Sequence, residues 1–385
     1  MFLHATEERN PELIDAAIQL HQNGSILPDT YVLDVDMILE NARLILEEAD
    51  KYNIRLYFML KQIGRNPKIA ELLVELGYES AVVVDFNEAR QMMNHGIPLG
   101  NVGNLVQIPK HFLKEVMTYG TEYITVFSIE KLNQVNEVAK ELGIKQKILM
   151  KVVDKGDAIY EGQHGGFCLK GLFDLTDLIH ELKYVELAGV TSFPCFLYDM
   201  KKEKLKATQN AETILKAQEL LVEAGFPVKE INMPSTTSVY TMPFISELGG
   251  TEGEPGHALT GTTPMHAVLD LPEKPAYVYV SEVSHNFNDH AYIYGGGLYR
   301  RGHLKNILLH DGKEERSSTI NPFNPENIDY YLEVAETQPV GATAIMVART
   351  QIFVTRSEVA LVKGIQNGNP EIIGIYSSLG EYLRR

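Results

Sequence analysis

The stretch Ile54–Pro67, IRLYFMLKQIGRNP, decides how this chain folds. Its first half is a run of apolar and aromatic residues bounded by turn signals, the pattern of a buried strand. The run ends at Lys61. Gly64, Arg65 and Pro67 then break it and open the next helix. A lysine at the mouth of a buried strand is partly desolvated, which lowers its pKa and makes its amine a nucleophile or base, as a Schiff-base lysine requires. A lysine in that place can also simply snorkel into water. What the rest of the chain supplies separates the two.

Outward from this strand the sequence alternates. Strands are predicted at Ile54–Leu60, Ser80–Asp85, Gly100–Gln107, Tyr123–Ser128, Lys147–Val153, Val185–Phe193, Val228–Met233 and Gly250–Glu254. Helical patterns, apolar on one face and charged on the other, fill Pro67–Leu76, Asn87–His95, Ile129–Leu142 and Ala207–Ala224. Gly77, Gly96, Gly120, Gly143 and Gly225 stand where helix C-terminal caps belong. Strands and helices alternating eight times predict an α/β fold, a (β/α)8 TIM-type barrel, with a doubly wound open sheet as the other arrangement of the same pattern. After Gly261 the helical period fades. Ala276–Val283, His290–Tyr294, Ala344–Val354 and Val359–Lys363 read as strands of a mainly β C-terminal domain. The expected organisation is a barrel over 36–261 and a β domain over 262–385. Residues 1–35 join the second: a helix at Pro11–His21, and a strand, Tyr31–Val35, left over from the count of eight.

Bulk properties exclude several classes. The chain has 385 residues, 44% of them hydrophobic, and a net charge of −16 with no basic run. Nucleic acid and anionic membranes are not expected partners, because both need clustered Lys and Arg. The two cysteines, Cys168 and Cys195, form no framework or CxxC motif, so a reducing cytoplasm is the expected compartment. The start, MFLHATEERNPELIDAAIQL, lacks the apolar core of a signal peptide, and no run of apolar residues is long enough for a transmembrane helix.

In a (β/α)8 barrel, ligands bind at the C-terminal ends of the strands, and phosphate often sits on the last two loops. Here the seventh strand is followed by Met233-Pro234-Ser235-Thr236-Thr237-Ser238 and the eighth by Glu254-Pro255-Gly256-His257-Ala258-Leu259-Thr260-Gly261. Hydroxyls and free backbone amides at a helix start make an anion site, although Ser235 could be only a helix cap. With Lys61 and Arg65 on the first strand's rim, a phosphate on the last two loops and an aldehyde on the lysine describe pyridoxal 5'-phosphate.

These strings carry a family resemblance. From TYVLDVDMILENARLI through YFMLKQIGRNP to VVVDFNEARQMMNHGI, and again at EPGHALTG, the chain resembles the alanine racemase type of pyridoxal-phosphate enzyme, fold type III, and within it the YhfX-like group. The resemblance implies a cofactor imine on Lys61, phosphate contacts from Ser235, Gly256 and His257, and Arg65 in place of a phosphate-binding tyrosine. It implies that Glu254 replaces the arginine that faces the pyridine nitrogen in alanine racemases. A carboxylate can hold that nitrogen protonated and deepen the electron sink; a helix-start acid favoured by the dipole is the plainer reading. Ser192 stands where relatives often have a ring-facing histidine. In the glycine-rich segment Asp157–Phe167, Gln163 or His164 could meet the cofactor's phenolic oxygen. Cys195 reads as a buried, inert thiol.

Two tail strings, AYIYGGGLYRRGH and ARTQIFVTRSEV, hold Tyr294, Arg300, Arg301, Arg349 and Gln351. Their GGG precedes no helix, so it is not a phosphate loop. In the resembled family the tail of one subunit completes the other's site. The expected roles are therefore Tyr294 as second catalytic base and Arg300 and Arg349 as substrate-carboxylate ligands, in a homodimer with shared active sites. The expected activity is an amino-acid racemase or epimerase that abstracts the Cα proton through a quinonoid. A lyase or decarboxylase acting on an amino acid, a D-amino acid among them, is the alternative, and a non-catalytic cofactor carrier ranks last because such carriers lack a tail domain. No metal is expected: no cysteine follows Cys195 and no His-x-Cys pair occurs.

Overall fold

The computed structural model describes all 385 residues. They form two compact units. One comprises 44–59 and 70–256; the other comprises 1–43, 60–69 and 257–385. The short segment carrying Lys61 and Arg65 groups with the unit that contains the tail.

The first strand, β1 (Thr30–Asp34), is not part of the barrel. The barrel strands are β2 (Arg55–Phe58), β3 (Ser80–Val83), β4 (Leu99–Val102), β5 (Tyr123–Val126), β6 (Gln146–Val153), β7 (Val185–Thr191), β8 (Glu230–Asn232) and β9 (Glu252–Gly253). Every neighbouring pair is parallel, and β9 pairs back onto β2 through Glu252↔Arg55 and Gly253↔Leu56, so the sheet closes. The eight-stranded closed barrel is the expected one, and the open sheet is ruled out. Residues buried on both sides explain why these strands read as continuous apolar runs. Tyr57, Met59, Val82, Val84, Tyr123, Leu149 and Ala188 form its core cluster, with the Tyr57 and Tyr123 rings edge to face at 6.3 Å.

One acid lies inside that core. Glu252 is fully buried and accepts a hydrogen bond from the Tyr57 hydroxyl at 2.9 Å. Burial, reinforced by the charge of Glu230, holds its carboxyl up at about 8. The native state therefore keeps a proton that the unfolded chain releases above its ordinary 4.5. The stabilisation is complete below that value and is lost as pH rises towards 8. Glu252→Gln should remove this slope. Its stability in urea should exceed that of the wild type at pH 8.5 by on the order of a few kcal/mol, with a smaller difference at pH 5. A variant that kept the wild-type slope would show that Glu252 is not the titrating group.

In the other unit a ten-stranded sheet is built around β1, whose five residues are all buried. β1 runs antiparallel to β10 (Tyr277–Phe287) and parallel to a late strand, Glu358–Lys363. The leftover strand thus pairs with the tail. The sheet is extended by β11 (His290–Tyr294), β12 (Asn306–His310), β13 (Glu315–Thr319), β14 (Tyr331–Val334), β15 (Thr343–Met346), β16 (Glu358–Lys363), β17 (Glu371–Ser377) and β18 (Tyr382–Arg384). The predicted strand Ala344–Val354 stops at Met346, and Ile352–Val354 forms a 3-10 turn instead. The GGG motif is a packing device. Gly296 has φ 124°, and a Cβ there would collide with the carboxylate of Asp29. That carboxylate accepts hydrogen bonds from Tyr279 and Ser357. No helix is long and apolar enough to cross a membrane.

Candidate active site

The barrel unit gathers buried polar groups at the C-terminal ends of its strands. Glu254, directly after β9, is the centre. Its Oε1 accepts from Asn101 Nδ2 and Asn232 Nδ2, both at 3.3 Å, and its Oε2 from Asn104 Nδ2 at 3.2 Å. Asn101 lies on β4, Asn104 follows it, and Asn232 ends β8. Behind them the Thr125 hydroxyl donates to Asn101 Oδ1 at 2.7 Å and the Thr191 hydroxyl to Asn232 Oδ1 at 2.8 Å. Asn101, Thr125, Asn232 and Thr191 are buried. Both oxygens of the Glu254 carboxylate thus accept from asparagine amides. The Glu254 backbone N–H is also held, by Thr237 Oγ1 at 3.0 Å.

The loop after β8 has an unusual backbone. Ser235 and Thr236 have φ 107° and 53°, a backbone region that costs non-glycine residues about 1–3 kcal/mol and recurs at binding sites. Ser235 donates its hydroxyl to the Phe196 carbonyl at 2.5 Å. It caps nothing: the following turn is capped by Ser238, in a reciprocal box with Thr241.

Lys151 on β6 is buried, and burial brings its amine down to about 8. It donates to the Gln163 carbonyl at 3.0 Å and sits 4.4 Å from the centre of the Phe127 ring. This anchors the segment around Gln163. Asn210 fastens the same segment further back, bonding both the N–H and the carbonyl of Ala158. The side-chain Oε1 of Gln163 and the Oδ1 of Asn104 are buried without a hydrogen-bond partner in the protein, and such atoms point to a ligand or water. His164 is exposed. The Cys195 thiol is buried, donates to the Ser192 carbonyl at 3.2 Å, and is pushed well up by burial, as an inert cysteine should be.

The other unit gathers a second set. The strand carrying the expected lysine ends at Phe58, so Lys61 is not a strand residue; it opens a 3-10 turn, Lys61–Ile63, which Gly64 closes with φ 74°. Lys61 is half-buried and Arg65 buried, with the Arg65 guanidinium 4.6 Å from the centre of the Phe353 ring. Four residues before Phe353, Arg349 donates its Nε–H to His257 Nε2 at 3.3 Å, and Gln351 Nε2 lies 3.3 Å from the same atom. Burial, then the charges of Arg349 and Lys61, pushes His257 well below its ordinary value. His257 is therefore neutral, with Nε2 as acceptor and the proton on Nδ1. Lys61, Arg65, His257 and Arg349, chosen from distant parts of the sequence, thus belong to one neighbourhood of this unit. Tyr294 and Arg300 do not join it. Tyr294 ends β11, 36% exposed, with its ring 5.8 Å from Tyr331. Arg300 begins an exposed 3-10 turn. The asparagines and threonines around Glu254 were not among the expected residues, and neither was Lys151. No group of three or more His, Cys, Asp or Glu side chains is placed to hold a metal ion.

Residues 33–264 match the family model of the alanine racemase N-terminal domain, and 278–372 match that of the YhfX-like C-terminal domain. The chain is 44% identical to YhfX of Escherichia coli strain K12 over 385 residues, the whole of both chains. Among solved structures, D-threonine aldolase from Filomicrobium marinum aligns at a TM-score of 0.70 and 15% identity, over 91% of this chain and 95% of that one. Diaminopimelate decarboxylase from Helicobacter pylori complexed with L-lysine aligns at 0.68 and 15%, over 96% of each chain. Alanine racemase from Clostridium difficile 630 aligns at 0.63 and 17%, over 92% of this chain and 99% of that one. At these identities the structural likeness speaks for the fold alone, whereas the two matched domain models and the full-length identity place the sequence: the chain belongs to the alanine racemase-type family, fold type III, with a YhfX-like C-terminal domain.

Proposed function

We propose that the protein binds pyridoxal phosphate on Lys61 and uses it as an amino-acid racemase or epimerase. The observation that carries this reading is Glu254, a buried carboxylate ringed by three asparagine amides at the end of the last barrel strand. The residues fit the cofactor. By chain connectivity Lys61 follows β2, the strand paired with β9, which leads into Glu254. Asn104 and Gln163 each carry a buried side-chain oxygen with no partner in the protein, and Ser235 and Thr236 hold a left-handed backbone of the kind that recurs at binding sites. When bound, the cofactor supplies an electron sink conjugated to the amino acid's α-carbon. Lys61 holds it and moves the proton at Cα. Glu254 holds a proton on the ring nitrogen. Ser235, the backbone at Gly256 and His257, and Arg65 bind the phosphate, and Gln163 meets the phenolic oxygen. Arg349, oriented by His257, keeps its terminal amino groups for an anion such as the substrate carboxylate, with Arg300 as a second candidate.

The second base is Tyr294, and it acts in a homodimer. Tyr294, Tyr330, Tyr331 and Ile328 are 36%, 68%, 40% and 60% exposed on or beside the β11–β14 pair. An exposed aromatic patch of this kind is the mark of an interface. Mixing inactive Lys61→Ala and Tyr294→Phe proteins should restore activity as subunits exchange, up to about a quarter of the wild-type level for random pairing. No recovery would refute shared sites.

A lyase or decarboxylase is the second reading, favoured by the same carboxylate, because a protonated ring nitrogen serves any carbanion at Cα. Incubating the holoprotein with D- and L-amino acids in D2O distinguishes them. Racemisation gives Cα deuterium in both enantiomers, a lyase gives a fragment, and a decarboxylase gives an amine. Absence of all three across the panel would overturn the catalytic proposal.

A further inference from the structure

Glu254 has a second layer of support that the proposed chemistry does not by itself require. An asparagine amide can face a carboxylate with its N–H or, turned over, with its oxygen. At two of the three asparagines the amide is also engaged from behind. The Thr125 hydroxyl donates to Asn101 Oδ1 and the Thr191 hydroxyl to Asn232 Oδ1, while both Nδ2 groups donate to Glu254. Each threonine lies on the barrel strand next to its asparagine, β5 beside β4 and β7 beside β8. The register places Asn232 opposite Thr191 itself, whereas Asn101 is opposite Tyr123, two residues before Thr125. The two chains of hydroxyl, amide and carboxylate converge on one oxygen, Oε1. Asn104 covers Oε2 with no threonine behind it.

We propose that the pairs Thr125–Asn101 and Thr191–Asn232 are positioning residues that fix Glu254 as an ionised, acceptor-only carboxylate and thereby set the protonation of the cofactor's ring nitrogen. This rests on the reading that Glu254 meets that nitrogen. A protonated Glu254 would have to aim an O–H among three N–H donors, so the array favours the anion. Burial alone would favour the neutral acid; the oriented amides oppose it. Loss of the threonine hydroxyls frees the amides to turn, weakens this bias and lowers the proton affinity of the ring nitrogen.

The experiment uses holoprotein loaded with pyridoxal phosphate carrying nitrogen-15 in the ring, with ring protonation followed by NMR from about pH 6 to 9. The wild type should stay protonated throughout. The isosteric double variant Thr125→Val/Thr191→Val should lose the ring proton within this range, and Thr125→Ser/Thr191→Ser should stay protonated like the wild type. If the double variant does not fold, Thr191→Val alone carries the same test with a smaller shift. A wild-type signal that is protonated, with no shift in any valine variant, overturns the positioning role and leaves Glu254 in place. Bound but unprotonated cofactor in the wild type overturns the Glu254 reading, and this proposal with it.

Discussion

Lys61→Ala should fold, retain weak affinity for pyridoxal phosphate, and lose both the visible absorbance of lysine-bound cofactor and Cα exchange with any substrate. The expected loss in exchange is at least about a thousandfold, because one residue both carries the cofactor and moves the proton. The argument rests on position. Lys61 follows a buried barrel strand by a three-residue step, starts a 3-10 turn, and is close enough to the buried His257 to depress that ring's proton affinity. The variant's fold should be unaffected, since the Lys61 side chain is only half-buried and the turn is closed by Gly64. A variant that kept the absorbance would mean that another amine holds the cofactor.

The second large effect concerns Glu254. Glu254→Arg places a cation where three asparagine amides point their N–H groups. The ring nitrogen would no longer be held protonated, and Cα exchange should slow by about a hundredfold or more, the scale seen when one preorganised electrostatic contact is removed. Because the arginine also disturbs buried asparagines, Glu254→Gln is the companion variant. It is close in shape, cannot hold the ring proton, and should slow exchange in the same direction. Exchange unchanged in both would reduce Glu254 to a local structural acid, and the case for chemistry that needs a deep electron sink would lose its support.

How far the sequence revealed this arrangement depended on what each residue type signals. The eight barrel strands were legible because parallel strands buried on both faces read as continuous apolar runs, and helices such as Ile129–Leu142 carried a clean period and a terminal glycine. Boundaries slipped where an apolar run outlasts its ladder: β2 stops at Phe58 although apolar residues continue to Leu60. Several tail strands and one hairpin in the barrel unit were missed. β13, ERSST, is almost wholly exposed and polar, and the hairpin, Phe196–Asp199 with Lys204–Ala207, has a lysine-rich turn that reads as loop. Such strands are held by ladder hydrogen bonds, which leave little trace in composition. Within the site, the charged residues drew attention because their chemistry is conspicuous. Asn101, Asn232, Thr125 and Thr191 did not. The available signal was weak but physical: a polar residue near the C-terminal end of an otherwise apolar barrel strand must be paired inside the barrel or turned towards a ligand. Lys151, a lysine within the run KILMKVV, satisfies the same rule.

That buried lysine makes the central claim sharply testable. Lys61 and Lys151 are both candidates to hold an aldehyde: one opens the turn after β2, the other is desolvated within β6 with its amine brought down to about 8. Holoprotein reduced with borohydride and digested should show the pyridoxyl mass on the peptide containing Lys61 and on no other. A pyridoxyl group on Lys151, or on any lysine but Lys61, would contradict the account.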